Sequence, residues 1–258
     1  MDLQRKIRQT MHGSARSLSA EKGNADAQNQ LGFMYSNGKG TAKDLSQGVK
    51  WLHKSAAQGH PMAQHNLSIC YFEGNGVEKD VKKAKELLQK SAEQGCSPAM
   101  FKLGWRYFKG EGMEANKSEG VKWIQKAADQ GLAAAQFRLA WLYEDGNGVE
   151  KSEKEAMRLF HLAAEQNYVE AQLVLGAKYS LSGVKEDLVK GTEWYRRAAE
   201  LGHHEAQNSL GLAYINADGV KRDIEEAKRW LRKAAENGNE RAAYHLGLLL
   251  SLPPPTYN

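Results

Sequence analysis

Cysteine is nearly absent: Cys70 and Cys96 are the two in a chain of 258 residues. They lie in different segments, without the spacing of a secreted disulfide framework or a zinc site, so a reducing compartment is the simpler expectation. Long apolar runs are missing too. The longest, Leu246 to Leu252, is interrupted by Gly247 and Ser251 and falls well short of the ~20 residues that span a bilayer. Neither charge sign dominates, since 36 basic residues meet 31 acidic ones for a net +5. Both signs are mixed along the chain with no basic stripe, so no nucleic-acid partner is expected.

Catalytic signatures are equally scarce. The eight histidines are scattered, and no His-Glu-x-x-His helix, phosphate-cradling Gly-Lys loop or nucleophile elbow occurs. The frequent Gly-x-Gly pairs precede helical segments without a strand before them, which separates them from a dinucleotide fingerprint. A non-enzymatic protein with no cofactor and no metal is the expectation. After Arg5, Lys6 and Arg8 no apolar stretch follows, so no secretory signal is read. The segment Leu3 to Ser19 weakly resembles a mitochondrial presequence; an amphipathic capping helix is the preferred reading. A cytoplasmic location follows as the expectation.

What the sequence does contain is an internal period. Helix-ending glycines recur at Gly23, Gly59, Gly95 and Gly131, then Asn167, then Gly202 and Gly238, in steps of 36 residues with a single step of 35. Asn is the second-best residue for the left-handed backbone of a helix C-terminus, so Asn167 is a sensible substitute. In phase with these marks run Ala27, Ala63, Ala99, Ala135, Ala171, Ala206 and Ala242, then Leu31, Leu67, Leu103, Leu139, Leu175, Leu210 and Leu246. A small residue follows each Leu, as in Gly32 and Gly104, and a Tyr completes the set from Tyr35 to Tyr214. Ala, Leu and Tyr at i, i+4 and i+8 make one buried helix face, and the small residue lets a second helix approach.

Glycine loops such as Gly74-Asn75-Gly76 end each first helix. Asp44, Asp80, Asn116, Ser152, Asp187 and Asp223 then stand as N-caps of six second helices, each cap worth ~1 kcal/mol. Gln47, Glu119, Glu155 and Glu226 three residues later suggest capping boxes. Large residues at Trp51, Leu87, Trp123, Leu159, Trp194 and Trp230 alternate with small ones from Ala56 to Ala235, the pattern of interdigitating stacked helices. The fold expected is an all-α, α/α superhelical solenoid of about six 36-residue helix-turn-helix repeats with terminal capping helices. Its parts are an N-terminal cap over 1–22, a solenoid over 23–252 and a Pro-rich tail over 253–258. The repeats run 23–58, 59–94, 95–130, 131–166, 167–201 and 202–237, with a half repeat at 238–252.

The run Ala63-Gln64, Leu67, Tyr71, Gly74-Asn75-Gly76-Val77, Asp80, Ala84, Ser91-Ala92-Glu93-Gln94-Gly95 and its partners resemble the Sel-1-like repeat family, a relative of tetratricopeptide repeats. Thr41 and Met113 depart from the loop Val, and Gly48, Gly120 and Gly191 from the second-helix Ala. The resemblance implies a curved right-handed superhelix serving as an adaptor or scaffold in signalling, assembly or host–bacterium contact. Some members are disulfide-stapled. Cys96 sits near one of the two places that staple uses, but the other has no Cys, so the cysteine-rich branch and its β-lactam binding are not implied.

In such a superhelix the first helices line the concave wall. The first-helix positions outside the core columns vary between repeats, and repeats three and four concentrate rings and cations there: Phe101, Lys102, Trp105, Arg106, Phe108, Phe137, Arg138 and Trp141. Aromatics and Arg dominate protein interfaces. One reading is a docking patch for a protein or peptide partner with acidic residues, on a monomeric protein. The other is that these rings pack between adjacent helices. An inhibitor or immunity-type protein that neutralises an effector enzyme, or a membrane-associated assembly factor, is the alternative to an adaptor.

Overall fold

The structure, a computed structural model, describes residues 17–251, and every regular element among them is helical. The expected capping helix at 1–22 and the Pro-rich tail lie largely outside the described residues; residues 17–21 are helical. The chain divides into two compact units, the first running to Ala135 and the second beginning at Gln136. In the first unit the helices are α1 (Ala25–Asn37), α2 (Leu45–Ala57), α3 (Pro61–Glu73), α4 (Val81–Glu93), α5 (Ser97–Lys109) and α6 (Lys117–Asp129). Almost wholly in the second unit lies α7 (Ala133–Asp145), followed by α8 (Glu153–Glu165), α9 (Val169–Ser180), α10 (Lys185–Glu200), α11 (His204–Asn216), α12 (Ile224–Glu236) and α13 (Glu240–Ser251).

The punctuation behaves as its chemistry requires. All seven repeat marks have positive φ, Asn167 included at 62°. Asp44, Asp80, Asn116, Ser152 and Asp223 cap α2, α4, α6, α8 and α12, each accepting from the backbone N–H three residues on. The boxes are closed on one side only, because Glu119, Glu155 and Glu226 turn forward to Lys122, Arg158 and Arg229. Asp187 departs from the expectation. The shortened loop lets α10 start a turn early, with Val184 as its N-cap. Ser182 Oγ accepts from the Val184 N–H, and Asp187 sits inside the helix, paired with Lys190 at 2.8 Å.

In each unit the core is the Ala–Leu seam. Ala63, Leu67, Ala99 and Leu103 in the first unit and Ala171, Leu175, Ala206 and Leu210 in the second are at most 1% exposed, each Leu stabilising by about 2 kcal/mol. The Tyr column is mostly half-buried. Its hydroxyls reach polar partners on the preceding second helix, Tyr71 to His53 at 2.8 Å and Tyr179 to His161 at 2.9 Å, as a ring with a polar tip requires.

The glycines beside the Leu column set the distance between paired helices. A Cβ on Gly104 would lie 2.6 Å from the Gly120 carbonyl oxygen, and one on Gly120 would lie 2.6 Å from the Gly104 carbonyl oxygen. The departure from Ala at Gly120 is therefore what lets α5 and α6 cross so closely.

A polar seam runs through the same interior. Gln28, Gln64, Gln136, Gln172 and Gln207 are all buried. Gln28, Gln172 and Gln207 donate to the carbonyls of Ala20, Ala164 and Ala199, eight residues back. Gln58, Gln94 and Gln166, at the ends of second helices, donate to Gln28, Gln64 and Gln136 at 2.7, 2.7 and 2.8 Å. Asn237 does the same to Gln207 at 3.1 Å. Two repeats depart: Met100 replaces the glutamine in the third, where Gln130 instead bonds Ser97. In the fifth, Leu201 stands where the donor should be, and Gln172 Oε1, buried, has no hydrogen-bond partner.

Candidate functional site

The expected patch is distributed over two helices, one in each unit. On α5, Phe101, Lys102, Trp105 and Arg106 are half-buried, whereas Phe108 is buried at 7%. Pro98 in its first turn and the left-handed Gly110 at its end fix the length of this helix. Trp105 and Phe108 stack with centroids 5.5 Å apart, and Lys109 Nζ lies 5.2 Å from the Trp105 ring centre. The Arg106 guanidinium lies over Phe72 of α3 at 3.4 Å, and its Nη1 donates to the Glu111 carbonyl. Burial pulls the Arg106 pKa down, opposed by the carboxylates of Glu111 and Glu73.

Behind this face His65 of α3 is 8% exposed. Burial, and secondly the Lys102 charge, bring its pKa to about 4, so the imidazole is neutral at physiological pH and adds no charge to the face. The positive potential is that of Lys102, Arg106 and Lys109.

On α7, Phe137, Arg138 and Trp141 are half-buried. Phe137 and Trp141 meet edge-to-face, and both clasp Phe160 of α8, with centroids at 5.7 and 5.3 Å. Phe137 also meets Tyr168 at 5.2 Å. These two rings are largely spent on holding α7 to α8, the interhelical packing that sequence variation alone left open. Phe108 is in the same position in the first unit, because its register places it toward α6, where its Cβ would meet a Cβ on Gly120. The face on which rings and cations are jointly accessible is α5, at Phe101, Lys102, Trp105, Arg106 and Lys109.

Sequence reasoning did not find a further regularity on the second helices. Trp51, Trp123, Trp194 and Trp230 each carry a cation three residues on, Lys54, Lys126, Arg197 and Lys233, at 4.1 to 4.5 Å from the ring. The signal was present as a Trp-x-x-Lys/Arg spacing, which puts the pair on one helix face. Among the described residues no group of three His, Cys, Asp or Glu side chains could hold a metal ion, and no helix is long and apolar enough to cross a membrane.

The pattern of the Sel1 repeat matches six consecutive segments, 25–60, 61–96, 97–132, 133–168, 169–203 and 204–239. The chain belongs to the Sel1 repeat family. Its six Sel1 repeats start two residues after the helix-ending marks, so each begins at a first helix and ends at the cap of the next. A solved structure of the protective antigen c5321 of uropathogenic Escherichia coli is 39% identical, with a TM-score of 0.74 over 91% of this chain and 50% of that one. The chain thus spans half the length of that antigen. A Sel1 repeat protein from Oxalobacter formigenes is 35% identical, with a TM-score of 0.73 over 83% of this chain and 89% of that one. The immunity protein Pa5087 of Pseudomonas aeruginosa has the same fold at 24% identity, with a TM-score of 0.55 over 90% and 89% of the two chains. The comparison with curated proteins finds no match.

Proposed function

We propose that this Sel1 repeat protein is a non-enzymatic scaffold that holds a partner protein through its first-helix wall, and that α5 presents a contact point for an acidic segment of that partner. Sel1 repeats mediate protein–protein interaction, and the proposal places that role on particular residues. The observation that carries it is the composition of two turns of α5, where Lys102, Arg106 and Lys109 accompany the half-buried rings of Phe101 and Trp105. An anchor ring beside a cation supplies large contact area and a charge-assisted hydrogen bond together. The shared fold of the immunity proteins, at 24% identity, carries the architecture and not the target.

The test is selection from a displayed random-peptide library on the intact chain and on Lys102→Glu. The wild type should enrich sequences with Asp or Glu next to an aromatic or aliphatic residue. Lys102→Glu should lose them by about tenfold in affinity, the effect of ~1.4 kcal/mol, with its helical circular dichroism unchanged. Enrichment of the same sequences by both proteins would refute the α5 contact.

A further inference from the structure

Along the chain acidic and basic residues are mixed, but the fold sorts them by helix layer. In the first unit the second helices form one layer, and α2 carries Lys50 and Lys54 with no carboxylate. α4 carries Lys82, Lys83, Lys85 and Lys90 against Glu86 and Glu93, and α6 carries three lysines against Glu119 and Asp129. That is nine lysines against four carboxylates, a surplus of five, as large as the net charge of the whole chain. Eight of the nine are exposed, and Lys85 is half-buried. Lys54, Lys90 and Lys126 hold the same register in three successive repeats, so one lysine per repeat stands in a row.

The second unit is built on the same repeat and serves as an internal control. Its second helices α8, α10 and α12 carry ten basic residues and ten acidic ones. They pair along each helix, as Arg158–Glu155, Lys190–Asp187 and Arg229–Glu226 do at 2.8 to 3.1 Å. In the first unit the lysines of α4 form no salt bridge among the described residues, and Lys122 meets Glu119 at 3.4 Å with its side chain 67% exposed. Like charges gathered on neighbouring turns repel one another. The repeat does not require that cost, since the second unit avoids it.

The kind of cation points to the kind of anion. None of the nine is Arg, whereas five of the ten in the second unit are. The planar Arg fork suits fixed carboxylates and nucleic-acid phosphates, whereas Lys is a point charge on a flexible stem. Nine lysines without an Arg fit an anionic surface whose groups move laterally. Trp51 and Trp123 lie half-buried in the same layer, with the Nζ of Lys54 and Lys126 over their rings at 4.2 and 4.1 Å. Indole rings favour the headgroup level of a bilayer, and clustered lysines favour its anionic lipids. We propose that the second-helix layer of the first unit docks on a membrane surface rich in anionic phospholipid. This layer is separate from the α5 contact, and its assignment does not depend on that contact.

The probe is cosedimentation of the full chain with vesicles of phosphatidylcholine containing about one third phosphatidylserine. Binding is expected to these vesicles and not to pure phosphatidylcholine. It should fall by about tenfold or more as salt is raised from about 0.1 M to about 0.5 M. Lys50→Gln, Lys82→Gln and Lys90→Gln combined should lower the partition coefficient by about tenfold or more. These three side chains are exposed, and Gln and Lys have similar helix propensities, so circular dichroism should be unchanged. Lys154→Gln, Lys185→Gln and Arg232→Gln combined remove the same charge from the second unit and should change partition by less than about twofold. Absence of binding to the anionic vesicles, or equal binding by the first variant, would overturn the proposal. So would an equal loss in both variants, which would make net charge the cause, or tighter binding to duplex DNA that the first variant loses, which would assign the layer to nucleic acid.

Discussion

Leu201 is where the buried glutamine seam loses a donor, and replacing it with Gln should restore the missing bond. In three other repeats the residue at this place is a Gln whose Nε2 lies 2.7 to 2.8 Å from the buried glutamine of its own repeat. The backbone is already set for it: φ and ψ are −76° and 0° at Leu201, −79° and 5° at Gln94. The acceptor is Gln172 Oε1, in a side chain 0% exposed and without a partner. A net hydrogen bond contributes about 1 kcal/mol, and relief of an unsatisfied buried acceptor about 1–3 kcal/mol. Fixing the longer side chain costs up to ~1 kcal/mol. Leu201 is 52% exposed, so little apolar burial is sacrificed. The expected gain is about 1–2 kcal/mol, or a rise of roughly 2–6 °C in Tm for a chain of this size. Urea unfolding of Leu201→Gln, Gln172→Met and the double variant gives the coupling energy; Met is already the residue of this column in the third repeat, as Met100. A gain in the wild-type background that vanishes in the Gln172→Met background supports the missing-donor account. An equal gain in both backgrounds would refute it, since the benefit would then come from removing an exposed leucine.

Ala217 ends α11 in the left-handed conformation at φ 64°, where Gly38, Gly74 and Gly110 end the corresponding helices. Ala217→Gly should stabilise by about 1 kcal/mol, the cost of a Cβ in that region, read as a higher denaturant midpoint at unchanged slope. His65 supplies a pH signature. Its pKa falls from 6.5 to about 4 on folding, so the unfolded chain binds the extra proton between those values. The stability this contributes is complete above pH 6.5 and is lost as pH falls toward 4, by roughly 3 kcal/mol at that point. His65→Phe, the residue type at Phe101 and Phe137 of the same column, should flatten the acid limb by about 2–3 kcal/mol between denaturation curves at pH 7 and pH 4.5.

The repeat and most caps were legible because their chemistry is local: positive φ selects Gly or Asn, an N-cap needs a short oxygen-bearing side chain, and the core face has a fixed period. Asp187 misled because a one-residue deletion in the loop shifted the helix start, which no propensity at Asp187 itself records. The glutamine seam was visible as Ala-Gln pairs in phase with the core, yet hydrophobicity patterning assigns polar residues to the surface. Ring placement was the least legible. Phe108 and Trp105 differ by three residues on one helix, and only the packing of α6 decides that one is buried and the other is not.

The bonds that tie helix to helix recur at a few fixed separations along the chain: eight residues for Gln207 to Ala199, eighteen for Tyr71 to His53, thirty for Gln94 to Gln64. Each is closed within one period and its immediate neighbour. Excising or duplicating a whole period would therefore leave nearly every such bond with a chemically equivalent partner, whereas a cut of another length within a helix would put the partners on either side of it out of register. Length in this architecture therefore grows or shrinks most readily by whole periods, and smaller changes fall in the loops, as in the fifth repeat, which is one residue shorter.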